Sequence, residues 1–319
     1  MTHMTKRAAL RRLLRSERVS RVVGAHDALS AKLAERHGFD AIWASSFGIS
    51  ASAAVPDASI LSMTELLAAV VSMNDASPLP LIADCDSGFG QVRNVVHLVR
   101  RYEGSGISAI CIEDKVFPKV NSFAARSQVL VSTEDFCAKI LAAVGTRQDP
   151  EFAVIGRTEA LIAGLGLDEA LRRAHAYVAA GADAILVQSS DRTGAEVTEF
   201  ARRWALRAPL AVVPTAFPEM QLNELAESGV RLVIYANHAL RAAVRAMDTV
   251  LSEIAMSDSS ACVEDRLGSM KEVFALQHLE EMQDMETRYH GLGRAVASRS
   301  DVDAVPAPAD REDAPSCSR

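Results

Sequence analysis

The sequence predicts an α/β protein: a closed (β/α)8 barrel of the TIM type with extra helices after the last strand. Three observations predict it. Eight short apolar runs with little polar alternation lie between residues 21 and 235, as strands buried on both faces do. Most of them are separated by stretches with apolar residues at i, i+3 and i+4. The length, 319 residues, suits one barrel of about 250 residues plus appendages. An open doubly wound sheet is the competing arrangement of the same alternation.

In chain order, the segment 1–20 is basic, and 6–15 within it reads as a helix leading into the first strand. The strand candidates are 21–25, 41–44, 79–83, 108–112, 152–155, 184–187, 210–213 and 232–235, rich in Val, Ile, Leu and Ala. The helix candidates between them are 28–36, 64–73, 94–102, 134–144, 168–180, 195–204 and 222–227. Gly38, Gly104, Gly145, Gly181 and Gly229 stand at or near the C′ positions where helices stop. Ser132 with Asp135 reads as a helix N-cap. The stretch 114–133 has no helical period, and a loop that long in a compact domain serves as a lid. Residues 239–256 form a long helix and 265–289 a further helical stretch, with Leu267, Met270, Phe274 and Leu276 on one stripe. The division is then a basic helix (1–20), a barrel (21–258) with its lid, a helical extension (259–294) and a disordered tail (295–319) without aromatics. Two surplus helices need a surface to pack on, and a neighbouring subunit supplies one.

Charge narrows the class. Lys and Arg number 34 against 41 Asp and Glu, a net charge of −7, which argues against a general nucleic-acid binder. No apolar run approaches the roughly 18 residues of a membrane span. The first 21 residues carry no apolar core of a secretory leader. Five cysteines (85, 111, 137, 262 and 317) are scattered and form no CxxC pair, which fits a reduced, cytoplasmic protein.

In a parallel barrel the chemistry sits at the C-terminal strand ends. Asp84, Asp86 and Glu113 follow the third and fourth runs, and hard oxygen donors clustered with few His or Cys select Mg²⁺ or Mn²⁺. Asp84 and Asp86, two apart, share a face if both lie on a strand. Gly88 and Gly90 let the chain turn beside them. Arg157 ends the fifth run as an anion clamp, or as a salt bridge to Glu159. Lys119 and Asn121 point the same way if the lid is extended there. His3, His37, His175 and His290 offer no site on their own.

Glu113-Asp114-Lys115-Val116-Phe117-Pro118-Lys119-Val120-Asn121-Ser122 resembles the signature loop of phosphoenolpyruvate mutases. Ile42-Trp43-Ala44-Ser45, Val55-Pro56-Asp57, the run 84–90, Arg157-Thr158-Glu159-Ala160 and Ala236-Asn237-His238 extend the likeness. From about residue 21 to 248 the chain is similar to the isocitrate lyase/phosphoenolpyruvate mutase superfamily. The resemblance implies a barrel whose terminal helix swaps between subunits of a homodimer or homotetramer. It implies Mg²⁺ held directly by the acid at Asp84 and through water by those at Asp86 and Glu113. It implies a substrate carboxylate cradled by Ser45, Ser46 and Phe47, a phosphoryl group ringed by Arg157, Lys119, Asn121 and Ser122, and Asp57 near the reacting centre. The implied reaction interconverts phosphoenolpyruvate and phosphonopyruvate, followed by a consuming enzyme such as a phosphonopyruvate decarboxylase. Gln188 departs from a frequent His, and Ser87 from a usual Thr, a milder change. Phosphonopyruvate hydrolases are the close rival, although their loops typically carry Thr where Asn121 stands. A C–C lyase of the superfamily would need a lid cysteine, and none lies between residues 114 and 133. Gln188 also motivates a third class, a catalytically idle barrel used in assembly or sensing.

Overall fold

The computed structural model describes residues 4–123, 128–205 and 207–297. It divides into two compact units, Met1–Val244 and Arg245–Arg319. The first holds a closed barrel in which eight strands pair in parallel in chain order, and β1 closes on β8. The strands are β1 (Ser20–Ala25), β2 (Ala41–Ala44), β3 (Leu81–Asp84), β4 (Ala109–Glu113), β5 (Ala153–Thr158), β6 (Ala184–Val187), β7 (Leu210–Val212) and β8 (Leu232–Tyr235). The open-sheet alternative is thereby excluded.

Residues of each strand alternate between two cores, which is why the runs read as continuously apolar. Trp43, Ile82, Ala109, Cys111, Ala153 and Ile155 belong to the inner barrel core. Ile42, Ala83, Ile110, Ile112 and Val154 pack outward beneath the helices. Ala41, Ala109, Ala153, Ala184 and Ala211 are interleaved with larger side chains inside the barrel and leave room for the Trp43 indole, which is 2% exposed. At Gly24 a Cβ would fall 1.9 Å from the Ala236 carbonyl oxygen, so only glycine lets the chain after β8 approach β1.

The helices of this unit are α1 (Lys6–Arg15), α2 (Ala28–Arg36), α3 (Ser46–Ser52), α4 (Met63–Ala76), α5 (Val92–Gly104), α6 (Thr133–Thr146), α7 (Gly166–Ala179), α8 (Ala195–Trp204) and α9 (Leu222–Glu227). The basic helix α1 plugs the N-terminal end of the barrel. Leu10 and Leu14 join the inner core, and Arg11 donates to the carbonyls of Pro150, Glu151 and Phe152 while pairing with Asp183 at 2.6 Å. Ser132 caps α6 as its spacing to Asp135 predicts. Gly38, Gly181 and Gly229 have positive φ just past helix ends. Gly104 and Gly145 instead lie within α5 and α6, and Gly106 supplies the left-handed residue after α5.

The last helices are α10 (His238–Ala255), α11 (Met270–Leu276) and α12 (Leu279–Ala297). The single helical stretch expected over 265–289 is broken, because His278 adopts φ +53 between α11 and α12. Helix α12 continues to Ala297, past the expected start of the tail. The rest of that tail, 298–319, lies outside the described residues. No described helix is long and apolar enough to cross a membrane.

Candidate active site

A cavity of about 180 Å³ opens at the C-terminal ends of the strands. Ser45, Phe47, Asp57, Asp84, Lys119, Asn121, Ser122, Arg157 and Gln188 line it, so nine of the twelve residues singled out in the sequence meet there. The other three stand behind the wall. Ser46 donates from Oγ to Asp84 Oδ2 at 2.9 Å, Asp86 lies 3.0 Å from the Lys119 ammonium, and Glu113 lies 3.2 Å from Arg157 Nε. A larger groove of about 670 Å³, lined by Thr198, Arg202, Glu224 and Ser228 among others, includes none of these residues.

Local structure explains the convergence. Ser45 caps α3 by accepting from the Gly48 amide, which fixes the chain at the mouth beside β2. Strand β3 ends at Asp84, whose side chain lines the cavity. Asp86 is not on the strand: it sits in the following turn with φ +50, beside Gly88 at φ +83. Its proximity to Asp84 therefore comes from a left-handed turn and not from strand alternation. A Cβ on Gly88 would meet Val95 Cγ2 at 2.7 Å, so glycine is required there.

The lid begins as a two-stranded stem. Lys115 pairs with Leu130, the Val116 amide donates to the Val129 carbonyl, and that of Val131 to the Asp114 carbonyl. Beyond the stem the chain folds back over the cavity. Lys119 Nζ reaches Asp57 Oδ1 at 2.7 Å, and Asn121 Nδ2 donates to Asp57 Oδ2 at 2.8 Å. The two lid residues thus act on one partner, as their spacing of two predicts. The lid backbone also docks on the loop carrying Asp57, with the Lys119 amide donating to Ser59 Oγ at 3.1 Å.

Charge is concentrated and out of balance. Asp57, Asp84, Asp86, Glu113 and Glu159 face Lys115, Lys119 and Arg157, an excess of two negative charges in a buried place. Burial raises the Asp84 and Asp86 carboxyls above their ordinary values, with Lys119 opposing. Burial also pushes Glu113 up, yet Arg157, Lys115 and Lys119 hold it below the usual range. Lys119 is raised: desolvation pulls it down, and Asp86, Glu113, Asp84 and Asp57 overcome that.

Asp86 Oδ1 and Glu113 Oε1 are buried and accept no well-formed hydrogen bond, although the ammoniums of Lys119 and Lys115 lie 3.0 and 3.9 Å from them. Hard carboxylate oxygens with unfilled hydrogen-bonding capacity, in a pocket with more acids than cations, fit a divalent cation. Among the described residues no group of three or more His, Cys, Asp or Glu is placed to bind one ion directly, so any such ion needs oxygens from water or substrate as well. Arg157 forms the salt bridge: its guanidinium meets Glu159, Glu113, Ser122 Oγ and Gln188 Oε1. The sequence puts Lys115 and Glu159 at strand ends, with Glu159 as a partner for Arg157, but assigns neither a place among the site residues. Position after the fourth strand marks Lys115 as a mouth residue, but its burial under the lid is not legible from spacing.

Fold and site define the class first: a lidded (β/α)8 barrel with a mixed acid–cation pocket at the strand ends. The family model described as phosphoenolpyruvate phosphomutase matches residues 10–255. The chain belongs to that family, within the phosphoenolpyruvate mutase/isocitrate lyase superfamily of enzymes. It is 48% identical over 288 residues to the phosphonopyruvate hydrolase of Variovorax sp. (strain Pal2), covering 90% of this chain and 99% of the relative. The crystal structure of a phosphoenolpyruvate phosphomutase from Streptomyces platensis subsp. rosaceus superposes with a TM-score of 0.87 at 48% identity, covering 89% of this chain and 99% of the other. A phosphonopyruvate hydrolase structure in complex with oxalate and Mg²⁺ gives 0.85 at 47% identity, covering 90% and 99%.

Proposed function

We propose that the protein is a phosphoenolpyruvate mutase, which breaks the P–O bond of phosphoenolpyruvate and forms a P–C bond at C3 of the same molecule. One observation carries this reading over hydrolysis: both carboxylate oxygens of Asp57 are engaged, one by Lys119 and one by Asn121. A carboxylate held on both oxygens is a poor base for an attacking water. With the lid closed, the phosphoryl group returns to carbon and not to solvent.

The chain's own groups divide the work. Ser45 and the backbone of Ser46 and Phe47 hold the substrate carboxylate at the start of α3. Arg157, oriented by Gln188 and Glu113, and the Lys119 ammonium balance charge on the transferring phosphoryl. Asn121 and Ser122 close the cage. Asp84, with Asp86 and Glu113 behind it, would hold Mg²⁺ or Mn²⁺. Such an ion supplies positive charge for the substrate oxygens when bound. Because the equilibrium favours the phosphate ester, a reaction consuming phosphonopyruvate, such as its decarboxylation, must follow.

The hydrolase reading, phosphonopyruvate to pyruvate and phosphate, is favoured by the 48% identical Variovorax relative. Phosphorus NMR of the purified protein with phosphonopyruvate and Mg²⁺ separates the two. Phosphoenolpyruvate appearing supports the mutase; free phosphate alone overturns it.

A further inference from the structure

We infer that Lys115 is the positioning residue that seats the lid, acting through Ser122 on Arg157. This deepens the proposed function and rests on that reading for its kinetic arm. Lys115 is 2% exposed, and its ammonium lies beneath the folded-back segment of the lid. It donates to the Val120 carbonyl at 3.0 Å and to Ser122 Oγ at 2.7 Å, and it lies 3.4 Å from Glu159 Oε2. A buried ammonium needs acceptors for its three protons. Val120 and Ser122 supply two of them, and both belong to the part of the lid that folds over the cavity. Lifting that segment would strip both at once, so Lys115 biases the lid towards closure.

Donor inventory then fixes the Ser122 hydroxyl. Lys115 and Arg157 are donors only, and each points a proton at Ser122 Oγ, at 2.7 and 3.1 Å. The oxygen must accept both, so its single proton goes to Glu159 Oε2, 2.7 Å away. Both lone pairs and the proton of Ser122 are committed. In this closed state it offers no proton to a phosphoryl group; it ties the lid to Arg157. With Val120 and Ser122 gripped from below, Lys119 and Asn121 face Asp57 across the cavity. Lys115 thereby sets groups it never touches.

The test is a double-mutant cycle of Lys115→Met and Ser122→Ala, read by turnover of phosphonopyruvate and by hydrogen exchange of the lid amides of residues 116, 117 and 119–123. Lys115→Met should speed lid exchange at least about tenfold and lower turnover about 100-fold, the scale of lost charge-assisted hydrogen bonds. Added to Ser122→Ala, it should lower turnover by less than about threefold more, because the two substitutions break one connection. Losses that multiply fully, or lid exchange unchanged by Lys115→Met, overturn the inference. If Lys115→Met does not fold, Lys115→Gln removes the charge, keeps a donor and is read the same way. A wild-type protein that turns over neither phosphonopyruvate nor phosphoenolpyruvate would sink the proposed function, and the exchange arm would still decide the role of Lys115.

Discussion

Asn121 differs from a threonine by an amide that spans the cavity to Asp57. A threonine hydroxyl is shorter and would leave Asp57 Oδ2 free to take a proton from water. Asn121→Thr is therefore expected to cut isomerisation about 10- to 100-fold, the effect of one lost donor, and to raise the share of free phosphate. Unchanged rate and product in phosphorus NMR would remove Asn121 from the outcome. Asp84 tests the metal. Its carboxyl faces the cavity among the excess negative charge. Mg²⁺ should raise the melting temperature of the wild type and leave that of Asp84→Ala unmoved, with activity reduced about 100-fold or more by the substitution. Full activity in excess EDTA contradicts this. At this scale the sequence was readable where spacing alone decides geometry, as for Lys119 and Asn121. It was not readable for Asp86, whose place depends on a left-handed turn. Nor was it for Lys115, whose burial depends on Val120 and Ser122 folding back onto it within a loop whose stem closes at Leu130.

At the scale of elements, the strands were legible because burial on both faces leaves an uninterrupted apolar run. Helix α3 was not, since its seven residues of Ser, Ala, Gly, Ile and Phe carry no amphipathic period. Its existence follows from the Ser45 cap and from packing at the barrel mouth. Helix α1 was legible as a helix but not as a plug. Its arginines serve carbonyls at the barrel's N-terminal end, which only the closed fold brings together. Leu10 is fully buried there, so Leu10→Ala should cost about 3 kcal/mol of stability. Arg11→Ala should cost less, about 2 kcal/mol, because Arg147 also pairs with Asp183 and keeps that carboxylate compensated. The site lies at the opposite end of the barrel. Both variants should therefore keep wild-type turnover per folded molecule, with the loss confined to denaturant midpoints. A turnover loss as large as that of Asp84→Ala would contradict the separation.

At the scale of the whole molecule, the second unit carries a chemical imbalance. No residue of α11 or α12 is buried, yet their side chains include Phe274, Leu279, Met282, Met285 and Tyr289. Met282 is 58% and Tyr289 65% exposed. Covering such side chains is worth about 1.5 to 3 kcal/mol each, so this many exposed apolar side chains are expected to serve an interaction surface. A second copy of the chain is the expected cover, and a dimer or a tetramer, the commonest closed assemblies, is the expected outcome. Light scattering at micromolar concentration should then give two or four times the chain mass. Met282→Glu with Phe274→Glu should shift the particle towards monomer by placing charge in the covered patch, while the circular dichroism of the barrel is retained. A wild-type monomer at that concentration, or an assembly indifferent to both charges, would show that these helices do not join subunits.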